Sequence, residues 1–541
     1  MISALIGPLL LGLLISGAFE ALLRPRPRPF WQRGAAANSV HLGTWLLLFG
    51  LLVLLLQRPW FAVMVFLSLQ LVVVQSSNAK SHTLNEPFIC HDFEYFWDAI
   101  LHPRLYVPFF GVGLAIAASS AAAVAIGGFF YWEGSLVTSE SASRFLTNAL
   151  GLIAAGAFLL VLSVSQLPAI TLRPADDLHR LGLFASLWAY GVALMRSPVP
   201  APEQSPFHAL TAVASAHQIE QPLPNVVLVQ SESFFDPRPW CAEVNSDLLP
   251  HFDATRASAS LHGALSVPAW GANTVRTECA LLTGTAPSQW GARQFNPYRT
   301  LARHPMPSLA SALKAAGYRT VCVHPYLASF YFRHKVMPQL GFDHFIDINA
   351  FKSSDKSGQY VSDQAVARKI GRLLEDDDNR PLFVFVITME NHGPLHLEAP
   401  NRATLATTLP NAPWPLPNHL RDLAVYLHHL SESDKMLASV KNSLNTAKRP
   451  GLLGWYGDHV PILPEAYAHF TPPDSRTPYM IWSSADWKAA GERLATAHWE
   501  TTNEPLELAA NELGVQLFKQ VFGHDISNDV IKAEPEPQEQ E

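Results

Sequence analysis

Residues 225–233 read NVVLVQSES, an apolar and largely β-branched run that ends abruptly in polar residues. Apolar residues at successive positions over so short a run are typical of a strand buried on both faces of a parallel sheet. The sequence predicts four such strands, at Asn225–Gln230, Arg319–Val323, Leu382–Thr388 and Leu452–Tyr456. Longer helical stretches separate them, and this alternation predicts an α/β domain with a largely parallel sheet over residues 223–525.

Each predicted strand runs directly into polar, reactive side chains. These are Ser231-Glu232-Ser233, His324, Glu390-Asn391-His392 and Gly457-Asp458-His459. Because sites in α/β sheets form at the carboxyl ends of the strands, we expect the four endings to converge on one crevice. Glu232, Asp458 and His459 supply two carboxylates and an imidazole, which suit Mn²⁺, Mg²⁺ or Zn²⁺. The convergence predicts a metal site, although each residue alone is more typical of a helix cap or a turn.

Residues 271–284 read GANTVRTECALLTG and resemble the sulfatase signature, Cys/Ser-x-Pro-x-Arg followed by x-x-x-x-Thr-Gly, whose first residue is the nucleophile. Counting back ten positions from Gly284 places Thr274 at the nucleophile position. Arg276 and Glu278 occupy the Pro and Arg positions, which disfavours formylglycine-dependent sulfate ester hydrolysis. A threonine hydroxyl becomes nucleophilic when a divalent cation lowers its pKa, and a following helix N-terminus favours an anion. The alternative is a threonine that only caps the helix.

The first 196 residues contain apolar runs of the length that crosses a bilayer core, roughly 20 residues in a helix. Five are clear: Ile2–Leu23, Val40–Leu56, Trp60–Val74, Tyr106–Trp132 and Phe145–Leu172. A shorter uncharged run, Leu181–Met195, is either a sixth span or an interfacial helix. Residues 1–196 are therefore predicted to form a transmembrane domain of five or six helices.

Arginines in the short loops predict the direction of the spans, because positive residues stay on the cytoplasmic side. Arg24, Arg26, Arg28 and Arg33 follow the first span, which places that loop inside and the N-terminus outside. With six spans the α/β domain emerges on the outer side of the membrane, whereas with five it faces the cytoplasm. Its placement therefore depends on Leu181–Met195.

Composition sets further limits. Five prolines between residues 197 and 222 predict an extended linker, and the acidic stretch at 526–541 predicts a disordered tail. A net charge of −7 with only 15% charged residues argues against nucleic-acid binding.

The four cysteines lack metal-site spacing and are interpreted as packing residues, with a disulfide between two of Cys241, Cys279 and Cys322 left open.

Five motifs together resemble the lipoteichoic acid synthase and phosphoglycerol transferase family, a membrane-anchored branch of the alkaline phosphatase superfamily. They are NVVLVQSESF with Glu232, GANTVRTE with Thr274, HPYLASFYFR from His324 to Arg333, MENHGP with His392, and YGDH with Asp458 and His459. The resemblance covers most of the chain, because that family also joins an N-terminal helical membrane domain to an external sulfatase-like domain. It implies a bacterial cytoplasmic (inner) membrane protein whose catalytic domain lies on the extracytoplasmic, periplasmic side.

The resemblance also implies roles for particular residues. In that family a metal, usually manganese, is held by residues that match Glu232, Thr274, Asp458 and His459, and the threonine takes a phosphoglycerol group from phosphatidylglycerol. Residues that match His324, Arg333 and His392 contact the headgroup, and Tyr331 stands where family members have a tryptophan. The implied activity is transfer of phosphoglycerol, through a covalent Thr274 intermediate, to a glycan or polyol-phosphate acceptor.

Three alternatives remain open. A phosphoethanolamine transferase would use the same nucleophile and metal, and a sulfatase-like phosphodiesterase or other hydrolase would resolve the intermediate with water. The third alternative is a transporter or sensor with an inactive binding module. The predicted spans argue against it, because they carry few of the charged residues that substrate paths in transporters usually need. The acceptor is equally open among a teichoic acid chain, a periplasmic glucan and another envelope glycan.

Overall fold

The computed structural model describes residues 2–96, 126–139, 141–216, 223–485 and 504–523, with the isolated residues 120, 123, 124, 487 and 488. The chain divides into two compact units, residues 1–197 and 198–541. The predicted tail at 526–541 and the end of the predicted linker, 217–222, lie outside the described residues.

The N-terminal unit is helical. The helices whose bounds are described are α1 (Ile2–Glu20), α2 (Ala35–Leu56), α3 (Pro59–Leu84), α4 (Leu136–Ser139), α5 (Ala142–Val164), α6 (Pro174–Leu181) and α7 (Leu183–Arg196). In the described part of the chain, α2, α3 and α5 are long and apolar enough to cross a membrane, and α1 and α7 are shorter apolar helices. The predicted span Tyr106–Trp132 lies mostly outside the described residues, so the number of spans stays a prediction.

Glycines allow α2 and α5 to pack closely. A Cβ atom added at Gly156 of α5 would lie 2.4 Å from the backbone nitrogen of Leu47 in α2. A Cβ atom at Gly43 of α2 would lie 3.1 Å from the backbone nitrogen of Leu160. Small residues at such crossings are typical of membrane helices, where close van der Waals contact replaces the hydrophobic effect.

Glu20, at the end of α1, is buried with its charge paired. Its Oε1 accepts hydrogen bonds from Nδ1 of His41 (3.1 Å) and from the backbone N–H of Leu183 (3.2 Å). Its Oε2 accepts a bond from Arg33. A buried carboxylate is tolerated only with such partners, and this one connects α1 with α2 and α7.

The C-terminal unit is built on an eight-stranded mixed sheet in the order β10-β2-β9-β8-β1-β7-β3-β4. The strands are β1 (Asn225–Ser231), β2 (Leu261–Ser266), β3 (Arg319–Val323), β4 (His344–Ile346), β7 (Leu382–Ile387), β8 (Gly451–Gly457), β9 (Arg476–Ser483) and β10 (Leu508–Ala509). A separate hairpin pairs β5 (Lys356–Ser357) with β6 (Tyr360–Val361). Of the strands described in this sheet, only β9 runs antiparallel to its neighbours. The four predicted strands and the largely parallel sheet are confirmed.

Helices cover both faces of this sheet. They are α8 (Pro206–Ala216), α9 (Pro250–Arg256), α10 (Thr274–Thr283), α11 (Pro297–Leu301), α12 (Leu309–Ala315), α13 (Arg333–Gln339), α14 (Asp363–Leu374), α15 (Arg402–Thr408), α16 (Asn418–Thr446), α17 (Pro464–Phe470) and α18 (Ala510–Phe522). Val226 and Leu228 of β1 join the core under α10, α12 and α18, whereas Val227 and Val229 join the core under α14 and α16. Burial on both faces explains the unbroken apolar runs.

A helix and the four cysteines bear on the sequence predictions. Residues 206–216, predicted as part of an extended linker, form α8 instead, because Pro206 starts a helix without strain and Phe207, Leu210 and Ala214 make one apolar stripe. That stripe is buried in the core. All four cysteines belong to the described residues and are free, and three of them are buried as packing residues.

Candidate active site

Glu232, Asp458 and His459 lie together at the carboxyl ends of two neighbouring strands. β1 and β8 pair in parallel with Ser231 opposite Gly457, so the residues that follow them come side by side. One donor atom from each of the three residues lies within 4.8 Å of the other two. Their exposed fractions are 3%, 0% and 1%. The three strand-end residues proposed as metal ligands from the sequence therefore form one buried cluster.

A tight turn after β1 orients Glu232. Ser233 has a left-handed φ of 52°, its N–H donates to Oδ1 of Asp458 (2.9 Å) and its hydroxyl donates to Oε1 of Glu232 (2.9 Å). A Cβ atom at Gly457 would lie 1.9 Å from the carbonyl oxygen of Phe234. Glycine is therefore required where the end of β8 meets this turn.

The electrostatics of the cluster fit a divalent cation. Burial and the neighbouring Asp458 carboxylate raise the pKa of Glu232 to about 8. Within the described residues, Oδ2 of Asp458 is buried without a hydrogen bond, although Nε2 of His459 lies 3.2 Å away. Two carboxylates and an imidazole nitrogen that converge in a buried space are the donors that manganese and zinc take in proteins.

Thr274 is the first residue of α10 and is buried. Asn273, with φ 66°, occupies the N-cap position, so Thr274 does not serve as the cap. One turn along the helix, the hydroxyl of Thr277 donates to the carbonyl oxygen of Asp458 (2.9 Å). This bond attaches the first turn of α10, the positive end of its dipole, to the segment that carries Asp458 and His459.

His324 and Arg333 are buried and contact each other. Nη1 of Arg333 lies 3.2 Å from Nε2 of His324, and Nδ1 of His324 lies 3.3 Å from the carbonyl oxygen of Ile387. Arginine only donates and a carbonyl only accepts, so His324 is neutral with its proton on Nδ1. Burial lowers the pKa of His324 well below its ordinary value, and the charge of Arg333 adds to this effect.

The guanidinium of Arg333 also forms a bidentate ion pair with Glu278 of α10. Nε lies 3.2 Å from Oε2, and Nη2 donates to Oε1. The ring centroid of Tyr331 lies 5.3 Å from Cζ of Arg333. From the sequence, Glu278 was noted only as a departure from the sulfatase signature. Its spacing of four residues from Thr274, which places both on one helix face, was the signal that could have identified it.

His392 lies in the turn that follows β7. Its Nδ1 donates to the carbonyl oxygen of Gly393 (2.6 Å), and the hydroxyl of Tyr360 lies 3.3 Å from the same nitrogen. Burial lowers the pKa of His392, the Gly393 carbonyl and Asp458 oppose that change, and Arg333 reinforces it. The charges of Asp458 and Arg333 thus act on the pKa of His392 in opposite directions.

A buried network that sequence reasoning missed supports this turn. Nδ1 of His429, on α16, lies 2.6 Å from the carbonyl oxygen of Glu390, and Nε2 lies 3.0 Å from Oε2 of Glu398. The Glu390 carboxylate accepts the backbone N–H of Asp363 (2.6 Å). The network fixes Glu390, two residues before His392. Histidines spaced along a helix give no signal for such a role.

The profile of the sulfatase family matches residues 224–512, which is more than half of the chain and includes every site residue described above. The chain belongs to the sulfatase family. This sulfatase-family chain departs from the Cys/Ser-x-Pro-x-Arg signature, since Thr274 stands at its first position and Glu278 at its Arg position.

Relatives of this sulfatase-family chain include the capsular polysaccharide biosynthesis protein RkpI of Rhizobium meliloti, which is 29% identical over 453 residues, or 80% of this chain and 79% of RkpI. The integral membrane lipooligosaccharide phosphoethanolamine transferase EptA of Neisseria meningitidis has a TM-score of 0.55 with 13% identity and covers 95% of each chain. The phosphoglycerol transferase GacH of Streptococcus pyogenes has a TM-score of 0.46 with 20% identity, covering 64% of this chain and 91% of GacH. The likeness to EptA confirms the predicted fold class, apolar N-terminal helices followed by a sulfatase-like α/β domain.

Proposed function

We propose that the protein is a membrane-bound phosphoglycerol transferase, which moves a phosphoglycerol group from phosphatidylglycerol to an envelope glycan through a covalent intermediate on Thr274. The main support is the bond between Thr277 and Asp458, which joins the start of α10 to the buried cluster of Glu232, Asp458 and His459. A hydroxyl, a cation site and an anion-binding helix end are the parts that phosphoryl transfer needs.

The proposed metal ligands are Glu232, Asp458 and His459, with Thr274 as the fourth. Manganese is the proposed ion, and magnesium and zinc are the alternatives. The chemistry that a divalent cation supplies in such a site is a lower pKa for the threonine hydroxyl and an offset for the charge of the phosphodiester.

The protein's own groups account for the remaining steps. Thr274 Oγ gives its proton to Nε2 of His392, the ring nitrogen that carries none in the neutral form, and attacks the phosphorus, and the bond to the diacylglycerol oxygen breaks. That oxygen takes a proton from Nε2 of His392, since Nδ1 is held by the Gly393 carbonyl. An acceptor hydroxyl then gives its proton to Nε2 and attacks the phosphorus, the bond from phosphorus to Thr274 Oγ breaks, and Oγ takes that proton from Nε2. The N-terminus of α10 stabilises the phosphoryl oxygens throughout.

The proposed donor follows from the charge near the headgroup residues. Arg333 is buried and permanently charged. A guanidinium only donates hydrogen bonds, so it can donate to the hydroxyl oxygens of glycerol, whereas an ammonium group is itself only a donor and offers it no acceptor. This favours phosphatidylglycerol over phosphatidylethanolamine, with His324, Tyr331 and His392 completing the proposed headgroup site.

The proposed acceptor is an envelope glycan, and the proposed site of action is the periplasmic face of the bacterial inner membrane. The name of RkpI, a capsular polysaccharide biosynthesis protein, supports a surface glycan. A membrane anchor suits a lipid donor because it keeps the site at a high effective concentration of substrate.

The test uses purified full-length protein and headgroup-labelled phosphatidylglycerol in vesicles, with and without Mn²⁺. The wild type should release diacylglycerol only with metal, and Thr274→Ala should release none. Thr407→Ala, at an exposed threonine of α15, is the matched control and should behave as the wild type. Release from phosphatidylethanolamine alone would favour the phosphoethanolamine transferase, and no release from either lipid would contradict the proposal.

A further inference from the structure

Glu278 has no part in the steps above, yet it lies at the centre of the site's polar core. It is fully buried and follows Thr274 by one helical turn. Its Oε1 accepts bonds from Nη2 of Arg333 and Nε2 of Gln230 (3.1 Å). Its Oε2 accepts bonds from Nε of Arg333 (3.2 Å) and the hydroxyl of Tyr298 (2.6 Å). The carboxylate is thus fully occupied by protein donors.

These bonds connect the segments that carry the other site residues. Gln230 lies in β1, two positions before Glu232. Its Oε1 accepts a hydrogen bond from the hydroxyl of Tyr456, which lies in β8, two positions before Asp458. Glu278 itself lies on α10 with Thr274. The network therefore joins the two strand ends, the nucleophile helix and, through Arg333, the start of α13.

We propose that Glu278 is a positioning residue that fixes the guanidinium plane of Arg333, so that Arg333 presents its remaining N–H groups to the oxygens of the phosphoglycerol headgroup. The inference rests on the proposed function, which it deepens by naming what orients the headgroup site. The bonds to Glu278 and His324 leave one N–H on each terminal nitrogen of Arg333 for a ligand.

Both the charge and the orientation of Arg333 depend on this partner. A buried guanidinium without a counter-charge is strongly unfavourable, so a partner is needed to keep Arg333 inside the core. A carboxylate that pairs side-on with Nε and Nη2 also sets the plane of the group, which a neutral or monodentate partner does not. Nη1 is then directed at Nε2 of His324, which keeps His324 in the neutral Nδ1–H form.

A merely structural role for the pair predicts a different outcome from a positioning role, and a double variant separates them. Glu278→Gln keeps the size of the side chain but leaves Arg333 without its counter-charge, so the Tm should fall. Arg333→Met removes the charge, and the double variant Glu278→Gln/Arg333→Met should regain part of the lost Tm because no charge is left unpaired. The readouts are Tm and, for phosphatidylglycerol in vesicles with Mn²⁺, KM and kcat of the full-length protein.

A positioning role predicts that Glu278→Gln lowers kcat/KM by about tenfold or more, mainly through KM, and that the double variant stays as inactive as Arg333→Met. Activity that returns with Tm in the double variant would overturn the inference, as would an unchanged kcat/KM in Glu278→Gln. The control is Asp253→Asn, which removes the ion pair between Asp253 of α9 and Arg238. It should lower Tm without changing kcat/KM. A wild type that turns over no phosphatidylglycerol would instead overturn the proposed function, together with the headgroup role of Arg333.

Discussion

Gly457 determines how closely the two ligand segments of the site approach each other. A Cβ atom there would lie 1.9 Å from the Phe234 carbonyl oxygen, so Gly457→Ala must displace the turn that holds Glu232. We expect Mn²⁺ affinity to fall by about tenfold or more, as when groups that orient metal ligands are lost. Titration of the metal, followed by the rise in Tm that it causes, measures the change.

Gly371→Ala is the matched control for this substitution. Gly371 lies in α14, and among the described residues a Cβ atom there would meet only the hydroxyl of Ser443 in α16, at 3.3 Å. Gly371→Ala should leave Mn²⁺ affinity unchanged. Equal affinity in Gly457→Ala and the wild type would show that the close approach is unimportant for the site.

At this scale the sequence was informative for residues next to a recognisable pattern. The buried cluster of Glu232, Asp458 and His459 was predictable because each residue follows an apolar strand, and the role of Thr274, inferred from a signature, stays a proposal. Glu278 was not predictable, because its partner Arg333 is 55 positions away in the chain. Hydrogen bonds between distant segments leave no local pattern from which to predict them.

At the scale of secondary-structure elements, the link between α16 and the turn of His392 should depend on pH. Burial opposes a charge on His429, but the hydrogen bond and charge of Glu398 outweigh it and raise the pKa of His429 above 6.5. The pKa of Glu398 is lowered from 4.5: burial opposes the change, and the partner His429 causes it. The pair therefore stabilises the fold most between pH 4.5 and 6.5.

The sign of the effect follows from linkage. A raised histidine pKa gives stability that is present below 6.5 and is lost as the pH rises through the folded-state value. The free energy of unfolding should fall as the pH rises above 6.5, and fall less in His429→Gln. Burial and Glu390 raise the pKa of Asp363 to about 8 in the same network, so Asp363 also makes the free energy of unfolding depend on pH. The test is therefore the difference between the pH slopes of the wild type and His429→Gln. Identical slopes in chemical denaturation would refute the ion pair.

The crossing of α2 and α5 provides a second test. Gly156→Ala places a Cβ atom 2.4 Å from the backbone of Leu47, whereas Gly151→Ala, in the same helix, meets nothing within 4 Å. Overpacking should destabilise Gly156→Ala by about 1–3 kcal/mol and leave Gly151→Ala close to the wild type. Thermal unfolding in detergent measures both, and equal Tm values would contradict the close packing of these helices.

Four strands, β1, β3, β7 and β8, were predictable because burial on both faces makes their sequences continuously apolar. The direction of β9 was not, since a run of residues carries no mark of its orientation relative to its neighbours. The helix α8 was missed because proline density indicates a linker, while the stripe of Phe207, Leu210 and Ala214 that decides the helix is short. The apolar runs within the described residues form α1, α2, α3, α5 and α7, whereas Tyr106–Trp132 lies mostly outside them, and the number of crossings stays a prediction.

At the scale of the whole molecule, the proposed reaction requires the catalytic unit to lie on the periplasmic side. The positive residues after α1, together with the predicted six crossings, predict that orientation. A C-terminal alkaline phosphatase reporter, active only outside the cytoplasm, should be active in the host, and a C-terminal green fluorescent protein should be dark. The opposite pair of results would place the site inside and contradict the six-span topology.

The proposed reaction depends above all on the transfer of a phosphoglycerol headgroup from a membrane lipid to Thr274. Mass spectrometry of the peptide that carries Thr274 detects this step, in full-length protein quenched shortly after mixing with phosphatidylglycerol vesicles and Mn²⁺. We expect a glycerophosphoryl group on Thr274 of the wild type, which disappears when an acceptor glycan is added and never forms in Thr274→Ala. Release of diacylglycerol with Thr274 unmodified, or a modification on another residue, would contradict the proposed intermediate.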